Sequence, residues 1–193
     1  ELDIQAKDIY YNDQTKPGDN FTVVLQGTEA HNMDRIKLIS TDFEGSGVYA
    51  AQYNNTVSGF YTLTITMEGE HIIGSPFEFT VEPDTTVPYN SLAYGTGIEE
   101  GLAGDFSYFI VQPRDQYGNN RTSLDSVDFQ VSLEPLTDLP EFWLEYSAVM
   151  SPTDMTVTPR EYKRRGFFNV SLHIYPQGLY QVGVAMGGAN IMG

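Results

Sequence analysis

The sequence predicts an all-β protein built of two tandem β-sandwich domains, on three observations. Apolar and polar residues alternate at period two in Phe21-x-Val23-x-Leu25, Tyr61-x-Leu63-x-Ile65 and Phe129-x-Val131-x-Leu133, the pattern of strands that turn one face to a core. Gly, Pro, Asn and Asp punctuate these short runs, and no long segment carries helical spacing. The chain also repeats itself. Gly47 to Gly74 lies over Gly166 to Gly193 without a gap, matching Gly47/Gly166, Gly59/Gly178, Tyr61/Tyr180, Met67/Met186, Gly69/Gly188, Ile72/Ile191 and Gly74/Gly193 at an offset of 119.

A second match joins Ile4 to Asn12 with Val111 to Asn119, at an offset of 107. The two offsets differ by 119 − 107 = 12, so the second repeat carries about 12 extra residues between Leu133 and Gly166. A sandwich tolerates such growth in a loop, because the insertion leaves the paired strands in place. Gly59 and Gly178 each precede an aromatic strand, where a tight turn calls for positive φ. The expected organisation is a first domain over 1–83, a joint at 84–88, and a second domain over 89–193 with its insertion at about 134–154. Pro83 and Pro88 bracket the joint and limit its conformations, so it is expected to be stiffer than a Gly/Ser linker and to hold the domains in a preferred orientation.

With 193 residues, 40% of them hydrophobic, the chain can bury two ordinary cores, and no stretch approaches the roughly 20 apolar residues of a membrane helix. Twenty-six acidic against ten basic residues give a net charge of −16, which repels phosphate backbones and argues against nucleic acid as a partner. Such charge otherwise serves solubility. Cysteine is absent, which leaves no disulfide framework, thiolate metal site or thiol nucleophile. His31, His71 and His173 lie in different strands or loops without Ser, Asp or metal-ligand partners at motif spacing, and Glu99-Glu100 lacks the pattern of a calcium loop. No catalytic site, metal or cofactor is expected.

Other features point to surface recognition. Sequons occur at Asn20-Phe-Thr, Asn54-Asn-Thr, Asn120-Arg-Thr and Asn169-Val-Ser. Asn54 and Asn120 fall in expected turns, Asn20 opens a strand, and Asn169 takes the outward phase of its strand, so each is a candidate for N-linked glycan and favours an extracellular location. The insertion holds the chain's only tryptophan, Trp143, beside Phe142 and Tyr146. Such a cluster serves either as an interaction anchor or as packing for the insertion itself. Arg160, Lys163, Arg164 and Arg165 gather basic charge just before the strand that starts at Gly166. In an acidic chain this spot suits an acidic partner face, or else a solvated turn.

These residues carry a family resemblance. Gly59-Phe60-Tyr61 through Gly69-x-x-Ile72-x-Gly74-Ser75-Pro76-Phe77 resembles the closing strands of filamin-type immunoglobulin-like repeats. Ala93-Tyr94-Gly95-Thr96-Gly97-Ile98-Glu99-Glu100-Gly101 is similar to the opening strand of such a repeat, and Phe109-Ile110-Val111 through Asp115-Gln116-Tyr117-Gly118-Asn119 to its second strand and turn. Against that family the first repeat begins at the second strand, and the second stops where Ser-Pro-Phe and the last strand would follow. Each is therefore expected to lack an edge strand, with the parent protein continuing in both directions. The resemblance implies partner binding by strand addition beside the third and fourth strands, here Phe21 to Gln26 with Ile36 to Ile39, and Phe129 to Glu134 with Met155 to Thr158. Phe109-x-Val111 through Asp115-x-Tyr117-Gly-Asn-x-Arg121 is closest in style to filamin-like repeats of plant and algal gamete-surface adhesion proteins. That resemblance implies a glycosylated cell-surface adhesion or spacer segment with a protein partner or a second copy of itself. The alternatives are a cytoplasmic actin-crosslinking or scaffold rod, and a carbohydrate-associated accessory module in which Trp143 is the aromatic platform.

Overall fold

Strands with every second side chain apolar bury that face by stacking one sheet on another, and the computed structural model holds this arrangement twice. It describes residues 2–122, 129–136, 153–160 and 166–191, with the strand path alone for 153–160. The chain divides into two compact units, Glu1–Glu82 and Pro83–Gly193.

The first unit runs β1 (Leu2–Gln5), β2 (Phe21–Gly27), β3 (Ile36–Ile39), β4 (Thr41–Gly45), β5 (Val48–Ala51), β6 (Gly59–Met67), β7 (Glu70–His71) and β8 (Phe77–Val81). One sheet has the order β1-β5-β4; the other sets β3, β2 and β6 side by side, with β7 and β8 both paired to β6. Every pairing is antiparallel. Phe21, Val23 and Leu25 on β2 meet Tyr61, Leu63 and Ile65 on β6, and with Ile4, Tyr49 and Ala51 from the opposite sheet they form one buried core. The chain changes sheets at Ser40, because β3 pairs with β2 whereas β4 pairs with β5.

The second unit runs β9 (Leu92–Tyr94), β10 (Phe106–Gln112), β11 (Phe129–Pro135), β12 (Thr153–Arg160), β13 (Phe167–Ile174), β14 (Tyr180–Met186) and β15 (Ala189–Asn190). Its sheets have the orders β12-β13-β10-β9 and β11-β14-β15. Phe109 and Val111 on β10, Phe168, Val170 and Leu172 on β13, and Val184 and Met186 on β14 form its core. Both units are all-β sandwiches of immunoglobulin-like type. The sequence repeat has a direct counterpart in register: Thr66↔His71 and Met67↔Glu70 in the first unit recur as Ala185↔Asn190 and Met186↔Ala189 in the second.

The turn into β6 and β14 is held in the same way in both units. The hydroxyl of the buried Tyr61 donates to the Val57 carbonyl at 2.9 Å, and that of the half-buried Tyr180 donates to the Pro176 carbonyl at 2.9 Å. Each bond reaches back four residues and pins the loop where the chain passes from one sheet to the other, the role of a tyrosine corner. Burial pushes the Tyr180 hydroxyl above its ordinary pKa, so it remains a donor. The glycine expectation holds at one position. Gly59 has φ +131, and a Cβ there would stand 2.5 Å from Glu29 Oε2. Gly178 is not among the positive-φ glycines; beside it, the fully buried Pro176 has a fixed φ and shapes the turn. Removing the corner hydroxyl should leave a buried carbonyl unsatisfied. Tyr180→Phe is expected to lower the stability of the second unit by about 1–3 kcal/mol, read as an earlier urea midpoint with an unchanged slope.

Candidate functional site

A polar feature shared by both repeats is a turn built on one aspartate. In Asp115-Gln116-Tyr117-Gly118-Asn119, Asp115 Oδ1 accepts the backbone N–H groups of Tyr117 (2.8 Å) and Asn119 (2.9 Å), and Oδ2 accepts Asn119 Nδ2 at 2.7 Å. Asp8-Ile9-Tyr10-Tyr11-Asn12 repeats these bonds, with Tyr10 and Asn12 N–H groups each 2.9 Å from Asp8 Oδ1 and Asn12 Nδ2 3.0 Å from Oδ2. Asp is suited to this position because its short carboxylate reaches the amides two and four residues ahead. The fourth residue takes positive φ, 67° at Tyr11 and 83° at Gly118.

The second turn has an additional ligand. Asp115 is fully buried, and its Oδ2 also accepts the N–H of Asp84 at 3.0 Å. Gln116 Nε2 donates to Asp84 Oδ2 at 2.8 Å, the Val87 N–H donates to the Arg114 carbonyl at 2.7 Å, and Asn90 Nδ2 donates to the Asp115 carbonyl at 2.8 Å. The segment expected as a separate joint is thus bonded into the second unit. Burial raises the pKa of Asp115, but the donors from Asn119, Asp84 and Tyr117 outweigh it and hold the carboxyl below its ordinary value. Asp8 is lowered by the Asn12 side chain and backbone donors, and Asp84 by the Thr85 N–H and the Gln116 amide.

The two units differ in which strand forms the sheet edge: β3 in the first and, among the described residues, β11 in the second. In the first unit Phe21–Gln26 and Ile36–Ile39 are hydrogen-bonded neighbours from Val23↔Ile39 to Gln26↔Ile36, so β2 is bonded on both sides and β3 forms the end of the sheet. The connection over 28–35 is short and locked. Asn32 is fully buried, its Oδ1 accepts the Glu29 N–H at 2.8 Å, and its Nδ2 donates to the Phe60 carbonyl at 3.3 Å. A short connection returns β3 as a hairpin partner of β2. In the second unit β11 pairs with β14, from Phe129↔Met186 to Pro135↔Tyr180, while β12 pairs with β13 in the other sheet. Among the described residues no strand occupies the second edge of β11. Its Phe129, Val131 and Leu133 are half-buried toward the core, and Gln130, Ser132 and Glu134 are exposed. An open edge of this kind offers unpaired main-chain donors and acceptors to an added strand.

At its far end β11 meets a cavity of about 300 Å³, lined by Ile98, Leu133, Leu172 and Tyr180 with Glu99 and Asp105 among its polar groups. It combines an apolar floor with acidic groups, which suits an apolar or basic side chain carried on an added strand.

Of the residues singled out in the sequence, Asn20, Asn54 and Asn120 are exposed and Asn169 is half-buried on β13. Asn120 Oδ1 accepts Arg114 Nε at 2.8 Å, and the Asn54 carbonyl accepts Lys37 Nζ. Phe142, Trp143, Tyr146, Lys163, Arg164 and Arg165 lie outside the described residues; Arg160 ends β12, opposite Phe167. The histidines are dispersed: His31 Nε2 donates to the Ser58 carbonyl at 2.8 Å, His71 Nδ1 hydrogen-bonds Ser75 Oγ at 3.0 Å, and His173 Nε2 donates to the Gly104 carbonyl at 3.0 Å. Among the described residues no group of three or more His, Asp or Glu is placed to hold a metal ion.

One surface was missed in the sequence. On the outer face of the β10–β13 sheet, Tyr94, Phe106 and Tyr108 are about half exposed. The Phe106 and His173 rings stack at 4.4 Å, and His173 lies 4.5 Å from Tyr175. Outward aromatics at alternate positions of Phe106-x-Tyr108 were the available signal.

No family model matches the chain. Filamin-C of Rattus norvegicus is 40% identical over 67 residues, which is 35% of this chain and 2% of that protein. Over that stretch the chain is similar to filamin repeats, and the match spans only a small part of the relative's length. Among solved structures, the Escherichia coli adhesin FdeC superposes with a TM-score of 0.62 and 18% identity, over 98% of this chain and 54% of that one. Invasin, described as a bacterial integrin-binding protein, superposes with a TM-score of 0.57 and 13% identity, over 97% and 33%. At these identities the two structures bear on fold alone.

The Asp115 cage makes a signed prediction. Because the folded pKa is depressed, its stabilisation is present in full above the unfolded value of about 3.9 and is lost as pH falls through the lower folded value. Asp115→Asn should cost the second unit roughly 2–3 kcal/mol at pH 7. Urea midpoints of wild type and variant should converge as the pH is taken below 4.

Proposed function

We propose that this chain is a non-catalytic adhesion and spacer segment of a cell-surface ectodomain, and that it binds a protein partner by strand addition along the open edge of β11. The observation that carries the reading is the contrast between the repeats: β2 is bonded on both sides, by β3 and β6, whereas β11 is bonded by β14 alone among the described residues. Main-chain pairing at the free edge supplies affinity, and side-chain pockets at alternate positions supply selectivity. The insertion with Phe142, Trp143 and Tyr146 connects β11 to β12 along the chain, and the run of Arg160, Lys163, Arg164 and Arg165 connects β12 to β13. The insertion is attached directly to β11 and the basic run to the strand that follows the insertion, and we assign both to the proposed recognition surface.

The surface location is supported by the exposed sequons Asn20, Asn54 and Asn120 and by the likeness in fold to surface adhesins. Adhesion between gametes is the specific role we assign, from the style of Phe109 through Arg121. The sequence match to filamin-C favours a second reading, a segment of a cytoplasmic crosslinking rod that uses the same edge.

One experiment separates the two. The chain is secreted from a eukaryotic host and weighed before and after peptide N-glycosidase. The ectodomain reading expects a mass decrease that maps to the sequon asparagines. Identical masses, with Asn20, Asn54, Asn120 and Asn169 unmodified, would sink it in favour of the rod.

A further inference from the structure

The aromatic outer face of the second repeat has a covering group within reach on its own surface. Asn169 on β13 stands directly opposite Ile110 on β10, and Ile110 stands opposite Tyr94 on β9. Tyr108 lies two residues from Ile110 along β10, on the same face, opposite Ser171. Same-face neighbours on paired strands are about 5 Å apart when opposite and about 7–8 Å apart on the diagonal. Asn169, Ile110, Tyr108 and Tyr94 therefore form one continuous patch: an amide, an aliphatic floor and two half-exposed rings, with Tyr94 46% and Tyr108 53% exposed.

We infer that this patch seats an N-linked glycan carried by Asn169, with its first sugars lying over Ile110 against the rings of Tyr108 and Tyr94. The inference rests on the ectodomain reading above. The chemistry is complementary, because a pyranose presents a face of C–H groups and an aromatic ring presents a negative π face. The rings stand exposed on a sheet, where a bare aromatic patch otherwise requires a partner. The amide and the aromatic face also coincide. At the corresponding place in the first repeat the opposed pair is Asp3 and Ala50, an acid and a methyl group, with neither sequon nor ring. A seated glycan would cover the outer face of the β10–β13 sheet and direct a protein partner to the edge of β11.

The test uses the whole chain secreted from a eukaryotic host. Glycopeptide mass spectrometry gives the occupancy of each asparagine, and proton–carbon NMR of the sugars reports ring stacking, which shifts protons above an aromatic face upfield. The expected result is an occupied Asn169 whose core N-acetylglucosamine protons are shifted upfield of those on Asn20, Asn54 and Asn120. The shift should be lost in Y94S/Y108S, and enzymatic glycan removal should lower the melting temperature of wild type more than that of this variant. An occupied Asn169 with ordinary sugar shifts overturns the seat while the ectodomain reading stands. An unmodified Asn169 beside glycosylated Asn20, Asn54 or Asn120 also overturns it and leaves the face to a protein partner. Four unmodified asparagines overturn the seat together with the reading beneath it.

Discussion

A fully buried aspartate organises the second repeat. An isolated carboxylate in such a place would cost several kcal/mol in lost hydration, so Asp115 can be there only with its oxygens occupied. The donors come from two directions: Tyr117 and Asn119 ahead of it in its own turn, and Asp84 from the segment that leads into the unit. The turn and the segment that leads into the unit are thus tied at one carboxylate. The docked segment goes on through Asn90 and Ser91, whose side chains bond the Asp115 and Val87 carbonyls, and delivers β9 to the edge of β10. The placing of Tyr94 beside Ile110 follows from it.

The difference between the repeats comes from a connection rather than from the strands. Phe21-x-Val23-x-Leu25 and Phe129-x-Val131-x-Leu133 are equivalent in pattern and pair equivalently with the strand that follows the tyrosine corner. After β2 the chain turns back through residues 28–35 around the buried Asn32 and must lie down next to β2. After β11 a longer connection releases that constraint, and β12 goes entirely to the opposite sheet. The sheet edge on that side is therefore β3 in the first repeat and, among the described residues, β11 itself in the second.

Much of this was legible in the sequence. Period-two alternation located the core strands, and the 119-residue offset anticipated a register that recurs residue for residue in β6–β7 and β14–β15. Asp-x-Tyr-x-Asn stood in the alignment of Ile4–Asn12 with Val111–Asn119, although the burial of the second aspartate depends on a segment far behind it. The closed edge of β2 was not legible, because Ile36-Lys37-Leu38-Ile39 reads as a strand whichever sheet receives it. The aromatic outer face was hidden for a related reason. In Phe106-Ser-Tyr108-Phe109-Ile110-Val111 both phases are apolar, and only the pairing of Phe109 with Val170 shows which rings turn outward.

The central claim is that β11, bonded by β14 alone among the described residues, is an edge strand whereas β2 is an interior one, and backbone amide hydrogen exchange resolved to single residues in the isolated chain tests it without a partner. Amides along β2 should be protected at every position from Phe21 to Gly27 that β3 or β6 bonds, whereas β11 should alternate, with every second amide from Phe129 to Glu134 exchanging at near the open-chain rate. Uniform protection along β11, equal to that of β2, would mean that its edge is already filled, and would contradict the account.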